Sequence, residues 1–417
     1  MSRLIVRATL LALAAAGLAL PQSRTAEIES ARDSKAAVVQ PETVSRPEYL
    51  LLQVKERKLV ERLTAGYNGL RAQFGSMATS SGFAFGPGFL REDLAGDNIR
   101  VSGAALVSTR LWQKYEAAVS VPRAAGGRLA FDAEAVRRDY RSLEFYGSGP
   151  DSARGARTNY RLVDTSLLGS AFARPSRFVR FGGSVGGLWA EVNPGRRGDL
   201  VSTETLFDDG DAPGLARSVT FLRSGLFAQF DYRDNPVGPK SGGNYVSQYT
   251  WYRDQSLGLF GFRRWDVDVQ QYVPFFNKTR RLALRARLTM TEPGAGQRVP
   301  FYLQPYVGGS DDLRGFRPYR FTDRNAMVYN VEYRWEVFSG LDGALFFDAG
   351  KVMPHRGWLK MADLETSAGF GFRFNAANRV FLRIDAGFSH EGAGVWLKFN
   401  DPFLPRLFGA ATGQPLY

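Results

Sequence analysis

Several segments of about ten residues alternate apolar and polar side chains along their whole length, and this period of two constrains the fold most. From 327 to 337 every odd-numbered residue is apolar, with Asn330, Glu332, Arg334 and Glu336 between them. Segments 265–273, 280–291 and 379–388 repeat the alternation, although Gln271 interrupts the first of them. Successive side chains of a β-strand point to opposite faces, so each segment predicts a strand with one apolar and one charged face.

Two kinds of fold bury the apolar face of such strands. A soluble antiparallel sheet turns that face inward, whereas a transmembrane barrel turns it toward lipid and encloses a polar lumen. Strands of about ten residues with aromatic ends and several charges on the polar face are typical of the barrel. The 45 glycines, 31 phenylalanines and 17 tyrosines also suit a many-stranded β protein. We therefore predict an all-β fold, an antiparallel transmembrane β-barrel of the outer-membrane type, with a soluble sandwich as the alternative.

The number of strands follows from counting back from the C-terminus. Sixteen candidates lie near 69–78, 82–91, 99–109, 115–123, 128–140, 157–172, 178–191, 218–233, 243–256, 260–274, 280–292, 326–338, 341–350, 365–375, 379–389 and 392–400. The long connections, 141–156, 192–217, 293–325 and 351–364, all fall on one side of this arrangement. Outer-membrane barrels have long external loops and short periplasmic turns. That side has short loops too, but the placement of all four long ones on it favours an even count, which agrees with sixteen strands.

The N-terminal region predicts export. Arg3 and Arg7 precede 13 uncharged, almost wholly apolar residues at 8–20, too few for a membrane helix of ~20 residues but suited to a signal-peptide core. We expect residues 1–26 to be a signal peptide and 27–67 a periplasmic segment. In that segment the pattern at 48–63 predicts one amphipathic helix. The barrel then spans 68–400, and 401–417 form a C-terminal extension.

Three short motifs carry a family resemblance. The first is a turn motif, RDNP, at Arg233, Asp234, Asn235 and Pro236. The second is LRGF at 313–316, within the longest loop, and the third is FFDAG at 346–350. Their order and spacing resemble the BamA/TamA family, also called the bacterial surface antigen family. The resemblance extends over about residues 68–400.

The resemblance implies a barrel that opens between its first and last strands and acts in membrane insertion or translocation of proteins or lipids. It also implies a lock between loop and barrel, formed by Arg314, Gly315 and Phe316 with Glu332 and Asp348. The alternation independently places both carboxylates on polar faces, and a planar guanidinium pairs well with two carboxylates. We predict that Arg314 contacts Asp348 or Glu332. The alternative is a solvated charged loop, and for the turn motif an ordinary tight turn.

Two features depart from the family. Its assembly, secretion and import members carry periplasmic POTRA domains, and the segment 27–67 is too short for one. Family barrels also usually end in an aromatic residue that closes the last strand. Here Phe399 or Phe403 is the candidate, with further residues after either.

The formal net charge of +13 suggests a second function. Six arginines are predicted to face the lumen and to set its selectivity: Arg281, Arg285, Arg287, Arg334, Arg373 and Arg383. The alternative function is therefore a passive anion-preferring pore or a structural barrel, plugged by the long loop 293–325. Other basic residues are expected to contact outer-membrane lipid and lipopolysaccharide. We expect no nucleic-acid partner.

Catalytic and metal sites are not predicted. The chain has no cysteine and two histidines, which excludes thiol catalysis and Cys-based zinc sites. A GxSxG match at 182–186 continues a strand rather than entering a helix. His390, beside Ser389 and Glu391 at a predicted rim, is the remaining candidate for catalysis. We expect no enzyme activity, cofactor or metal, and location in the outer membrane of a Gram-negative bacterium. Expected partners are a protein cargo and a periplasmic protein that binds 48–63.

Overall fold

The computed structural model describes residues 66–276, 278–376 and 379–403. These form one antiparallel sheet of sixteen strands, and each strand pairs with the next in chain order. The predicted signal peptide, the predicted helix at 48–63 and residues 404–417 lie outside the described residues. Within the described part, no helix has the length and hydropathy needed to cross a membrane.

The barrel strands are numbered β1 to β16 in chain order. They are β1 Leu70–Gly75, β2 Ala84–Leu94, β3 Ile99–Ser108, β4 Gln113–Ala124, β5 Leu129–Phe145, β6 Thr158–Ala173, β7 Val179–Pro194, β8 Ser218–Asp231, β9 Gly242–Asp254, β10 Phe262–Phe275, β11 Arg280–Pro293, β12 Asn325–Phe338, β13 Leu341–Met353, β14 Glu365–Ala376, β15 Arg379–Ser389 and β16 Gly392–Lys398. The predicted count and the antiparallel barrel are confirmed. All four long loops leave the same end of the barrel, called here the long-loop end; the opposite end is the short-turn end.

Strand ends differ from the prediction where side chains redirect the backbone. The first strand was predicted to reach residue 78 but ends at Gly75. The Ser81 hydroxyl accepts hydrogen bonds from the Met77 and Ala78 amides and turns the chain. The fifth strand continues to Phe145 through a register shift between Tyr140 and Leu143, which shortens the loop after it.

The two faces of the strands follow the alternation. On β13, Leu345 and Phe347 are about half exposed, whereas Asp342 and Asp348 are buried inside the barrel. Apolar side chains therefore face outward, where lipid would surround them, and charged ones face the lumen.

The longest loop, between β11 and β12, fills the long-loop end of the lumen. Phe301 packs against Tyr160 and Phe145, with ring centroids 4.7 and 4.9 Å apart. Deeper in the loop, a short hairpin pairs Tyr306–Val307 with Phe321–Thr322. The segment between the two hairpin strands carries the LRGF motif.

Candidate functional site

The LRGF segment reaches the inner wall because two glycines turn the loop. Gly308 and Gly309 have φ values of 114° and 100°, in the left-handed region that glycine adopts without steric cost. Leu313 and Phe316 then join a buried apolar cluster with Phe321 and residues of β12 and β13. This packing holds the intervening Arg314 against the wall.

Arg314 contacts both predicted carboxylates. Its Nε and Nη2 donate to Asp348 at 2.9 and 2.7 Å, and its Nη1 donates to Glu332 at 2.7 Å. The guanidinium carbon also lies 3.4 Å from the centroid of the Phe346 ring. All three charged side chains are at most 1% exposed. The motif arginine is therefore fully desolvated and paired with two strands at once.

The electrostatic balance of this pocket keeps the arginine charged. Burial by itself would lower the pKa of Arg314, but the nearby charges of Asp348 and Glu332 outweigh it and raise that pKa. Asn330 and Ser367 also donate to Asp348, at 2.9 and 3.3 Å. Removing one member would leave its partners charged and buried.

Close backbone approach explains the glycine after the arginine. A Cβ on Gly315 would lie 2.6 Å from the Phe388 carbonyl carbon and 2.8 Å from the Ser367 Cβ. On β15, a Cβ on Gly387 would lie 2.6 Å from the Arg314 backbone. The loop tip therefore packs backbone to backbone on the wall, which only glycine allows.

The lock belongs to a larger network of buried charges. Glu332 also accepts hydrogen bonds from Arg334, at 2.7 Å, and from Arg373, at 2.8 Å. Asp385 accepts from Arg373 and from Arg383, each at 2.6 Å. The network thus connects β12, β14 and β15 with the loop.

The six predicted lumenal arginines face inward, but they do not supply unmatched positive charge. Each forms an ion pair with a lumenal or loop carboxylate: Arg281 with Asp342, Arg285 with Asp268, Arg287 with Asp312, Arg334 with Glu332 and Asp401, Arg373 with Glu332 and Asp385, and Arg383 with Asp311 and Asp385. The expectation that these arginines give the lumen an anion preference is therefore not supported by their surroundings.

The turn motif is explained by local chemistry. Asp234 accepts hydrogen bonds from the amides of Asn235, Lys240 and Ser241, at 2.9 to 3.1 Å. Burial by itself would raise the pKa of Asp234, but these hydrogen bonds outweigh burial, so that the pKa lies below its ordinary value. Arg233 pairs with Asp231 at 2.7 Å. Pro236 lies in the same turn, so the motif fixes the β8–β9 connection without a ligand.

Several lock residues were not identified from the sequence. The Trp396 indole on β16 donates to the Arg314 carbonyl at 2.8 Å, and the Ser389 hydroxyl donates to the Gly315 carbonyl at 2.9 Å. Ser389 therefore holds the loop. The adjacent His390 lies 3.4 Å from Glu365, and its ring packs edge to face on Phe316 of the loop, with centroids 5.4 Å apart. In the sequence, the feature that could have indicated this contact is a tryptophan, Trp396, on the polar face of the last strand.

The first and last strands meet at a seam. Among the described residues, no backbone ladder joins β16 to β1, the two shortest strands of the sixteen. Phe74, Phe381 and Phe399 form a three-ring cluster across it, with centroids 5.8 to 6.1 Å apart. The Lys398 ammonium donates to the Ser76 hydroxyl at 2.9 Å. Side chains therefore hold the seam.

The long loop also touches both sides of the seam. The Tyr319 hydroxyl donates to the Thr79 carbonyl, beyond β1, at 3.1 Å. Arg320 pairs at 2.8 Å with Glu391, in the turn before β16. Any opening of the seam at the long-loop end must therefore break a contact of this loop.

Comparison with known proteins gives a family domain and a fold. Residues 217–406 match the family model of the Omp85 superfamily domain. The chain is similar in structure to BamA from Haemophilus ducreyi lacking POTRA domains 1–3, at 13% identity and a TM-score of 0.60, over 80% of this chain and 69% of that one. It is also similar to CdiB from Escherichia coli, at 14% identity and 0.56, over 80% and 62%. No curated protein sequence matches it. At these identities the structural likeness establishes the fold.

Proposed function

We propose that this chain, which carries an Omp85 superfamily domain, inserts or translocates proteins at the outer membrane of a Gram-negative bacterium. The long-loop end would face outward and the short-turn end the periplasm, as in outer-membrane barrels generally. The proposed route is the seam between β16 and β1, and the proposal includes no enzyme chemistry.

The observation that carries this proposal is the seam itself. Unpaired backbone groups are costly in lipid, so barrels that span membranes are normally closed by hydrogen bonds. Here the two shortest strands meet through aromatic rings and one lysine instead. The two strands can separate there without breaking a backbone ladder. The gap would admit a strand of a protein cargo.

The proposed partners follow from the same orientation. A protein cargo would enter from the short-turn end, and the segment 48–63 would bind a periplasmic protein or lie on the membrane there. Lipid and lipopolysaccharide would surround the apolar outer face, to which residues such as Leu345 and Phe347 contribute.

A disulfide across the seam tests the route. A Cβ on Gly75 would lie 3.9 Å from the Phe399 Cβ, within the ~3.5–4.5 Å that disulfides require. A deletion strain would be complemented with wild type, with Gly75→Cys/Phe399→Cys, or with Gly75→Cys alone. Proteomics of the outer membrane and the medium should show specific loss of one or a few proteins in the deletion strain. Wild type, the single variant and the reduced double variant should restore them; the oxidised double variant should not.

Two outcomes would contradict the proposal in different ways. Full restoration by the oxidised variant would exclude the seam as the route. An unchanged proteome in the deletion strain would exclude a protein cargo and favour the second candidate, a plugged pore or structural barrel. The long loop inside the lumen is what favours that candidate. A steady bilayer conductance that rises on deletion of 308–318 would then support it.

A further inference from the structure

The geometry points to a peptide-binding site on the lumen wall, specific for a carboxylate two residues before an aromatic ring. Residues of β10, β11 and β12 form it, and the chain's own Asp401 and Phe403 occupy it. These two residues follow β16, which lies four strands away from β12 in the sheet. This inference goes beyond the proposed function, because peptide binding can occur without transport.

The carboxylate half of the site is Arg334. Its Nη1 and Nη2 donate to the two Asp401 oxygens, at 2.6 and 3.1 Å. The Asp401 residue is 4% exposed and the arginine side chain 1%. A two-pronged contact of this kind selects a planar carboxylate by geometry as well as by charge.

The aromatic half lies beside it. Phe403, 1% exposed, clusters with Tyr272 of β10 and Ala283 of β11. The Arg334 guanidinium carbon lies 5.4 Å from the centroid of the Phe403 ring. Between the two halves, Arg285 donates to the Pro402 carbonyl at 3.2 Å. Arg334 thus contacts both the carboxylate and the ring, and Arg285 binds the backbone between them.

The occupying segment resembles a bound ligand more than a barrel element. It adds no strand to the sheet, and side chains of the wall make the contacts described above. Asp401 shapes the segment by accepting a hydrogen bond from the Phe403 amide, at 2.9 Å. Any peptide with Asp two residues before Phe can form the same turn.

A cavity lies beside the segment that occupies the site. It has a volume of about 1080 Å³, opens at the short-turn end and reaches Asp401. Its charged lining consists of six arginines and two aspartates, Asp231 and Asp401. This excess of arginine would attract an acidic peptide.

The test uses the full chain purified in detergent and a fluorescein-labelled peptide that copies residues 399–404. In Asp401→Ala/Phe403→Ala the site is empty, so the peptide should bind. Wild type should bind at least about tenfold more weakly, because its own segment competes at a high effective concentration. Adding Arg285→Ala to the emptied variant should weaken binding, and a probe with Asn and Ala in place of its Asp and Phe should not bind.

Two results would overturn the inference. One is an emptied variant that keeps the barrel's circular dichroism and heat-modifiable migration but does not bind the peptide; the segment would then be a structural cap only. The other is equal binding to wild type and to the emptied variant, which would place the peptide elsewhere. If the double variant does not fold, Phe403→Ala alone serves, with binding expected between the two extremes.

Discussion

The wall formed by β12 to β15 and the seam between β16 and β1 are held by different forces. Backbone ladders join the wall strands, and a buried ion-pair network ties them to the loop. Across the seam, the contacts include phenylalanine rings, among them Phe83 and Phe399 with centroids 5.5 Å apart, and a lysine. One barrel therefore contains a region joined by backbone ladders and ion pairs and a region joined by side-chain contacts.

The difference reflects what each contact costs to break. Opening a ladder in lipid leaves amides and carbonyls without partners, and separating a buried ion pair leaves charges without compensation. Parting aromatic rings exposes apolar surface, which lipid can cover at little cost. A barrel that opens repeatedly would therefore be expected to hold its opening strands together with aromatic rings rather than with buried ion pairs.

The largest effect is expected in the wall, from Arg314→Ala. This change leaves Glu332 and Asp348 buried without their shared cation, and removing one partner of a buried pair costs about 3–5 kcal/mol. Urea unfolding in detergent measures the loss. The matched control is Arg356→Ala, which breaks an ion pair with Glu292 whose side chains are about half exposed. Its effect should be within about 1 kcal/mol.

If the two substitutions lowered the unfolding free energy equally, buried ion pairs would not hold the wall more strongly than exposed ones. The seam provides a second check on the same variant. Because the Trp396 indole binds the Arg314 carbonyl, a displaced loop tip should also increase hydrogen exchange in β16.

Sequence periodicity was sufficient for the wall but not for the lock. Alternation predicts sixteen strands and the inward direction of Glu332 and Asp348. Side chains of a strand alternate between its two faces, so assigning one residue to a face assigns all the others. It cannot predict the path of a loop. The contacts of Trp396 and Asp401 join residues 82 and 67 positions apart, and no local pattern records them. Neither Phe399 nor Phe403 closes the last strand, since it ends at Lys398.

The second effect is expected at the seam, from Phe381→Ala. The ring of Phe381 contacts both Phe74 and Phe399, with centroids 6.0 and 5.8 Å away. Two edge-to-face contacts plus the lost burial should amount to about 2–3 kcal/mol. Phe381 lies on β15, beside the seam. Hydrogen exchange in β1 should increase, while exchange in β12 to β14 stays unchanged.

The control for this substitution lies in the wall. Phe370 on β14 packs in a tilted arrangement against Phe388 of the adjacent strand, with ring centroids 6.4 Å apart. Phe370→Ala therefore removes an aromatic contact where ladders remain. It should leave exchange in β1 unaltered. Faster exchange in β1 after both substitutions would mean that the rings do not act specifically on the seam.

The smallest effect is expected from Asp401→Asn, which tests whether the C-terminal segment joins the seam strand to the wall. Burial by itself would raise the pKa of Asp401, but Arg334 outweighs it, so that pKa lies below its ordinary value. Such a carboxylate stabilises the fold above the unfolded pKa of ~3.9, and this contribution is lost as pH falls through the folded pKa. Arg334 keeps its ion pair with Glu332 after the substitution, and the Asn side chain can still accept a hydrogen bond. At neutral pH the cost should therefore be about 1.5 kcal/mol, as for a hydrogen bond to a charged group.

The pH dependence separates this ion pair from general acid instability. The difference in unfolding free energy between wild type and Asp401→Asn should stay constant from about pH 8 to pH 5 and shrink only below about pH 4. A difference that already shrinks between pH 7 and pH 5 would mean that the carboxyl is not paired as described. With constant pairing, the end of β16 is anchored to Arg334, in the same network as the lock. Opening the seam at the short-turn end would then require this anchor to release or the segment to bend.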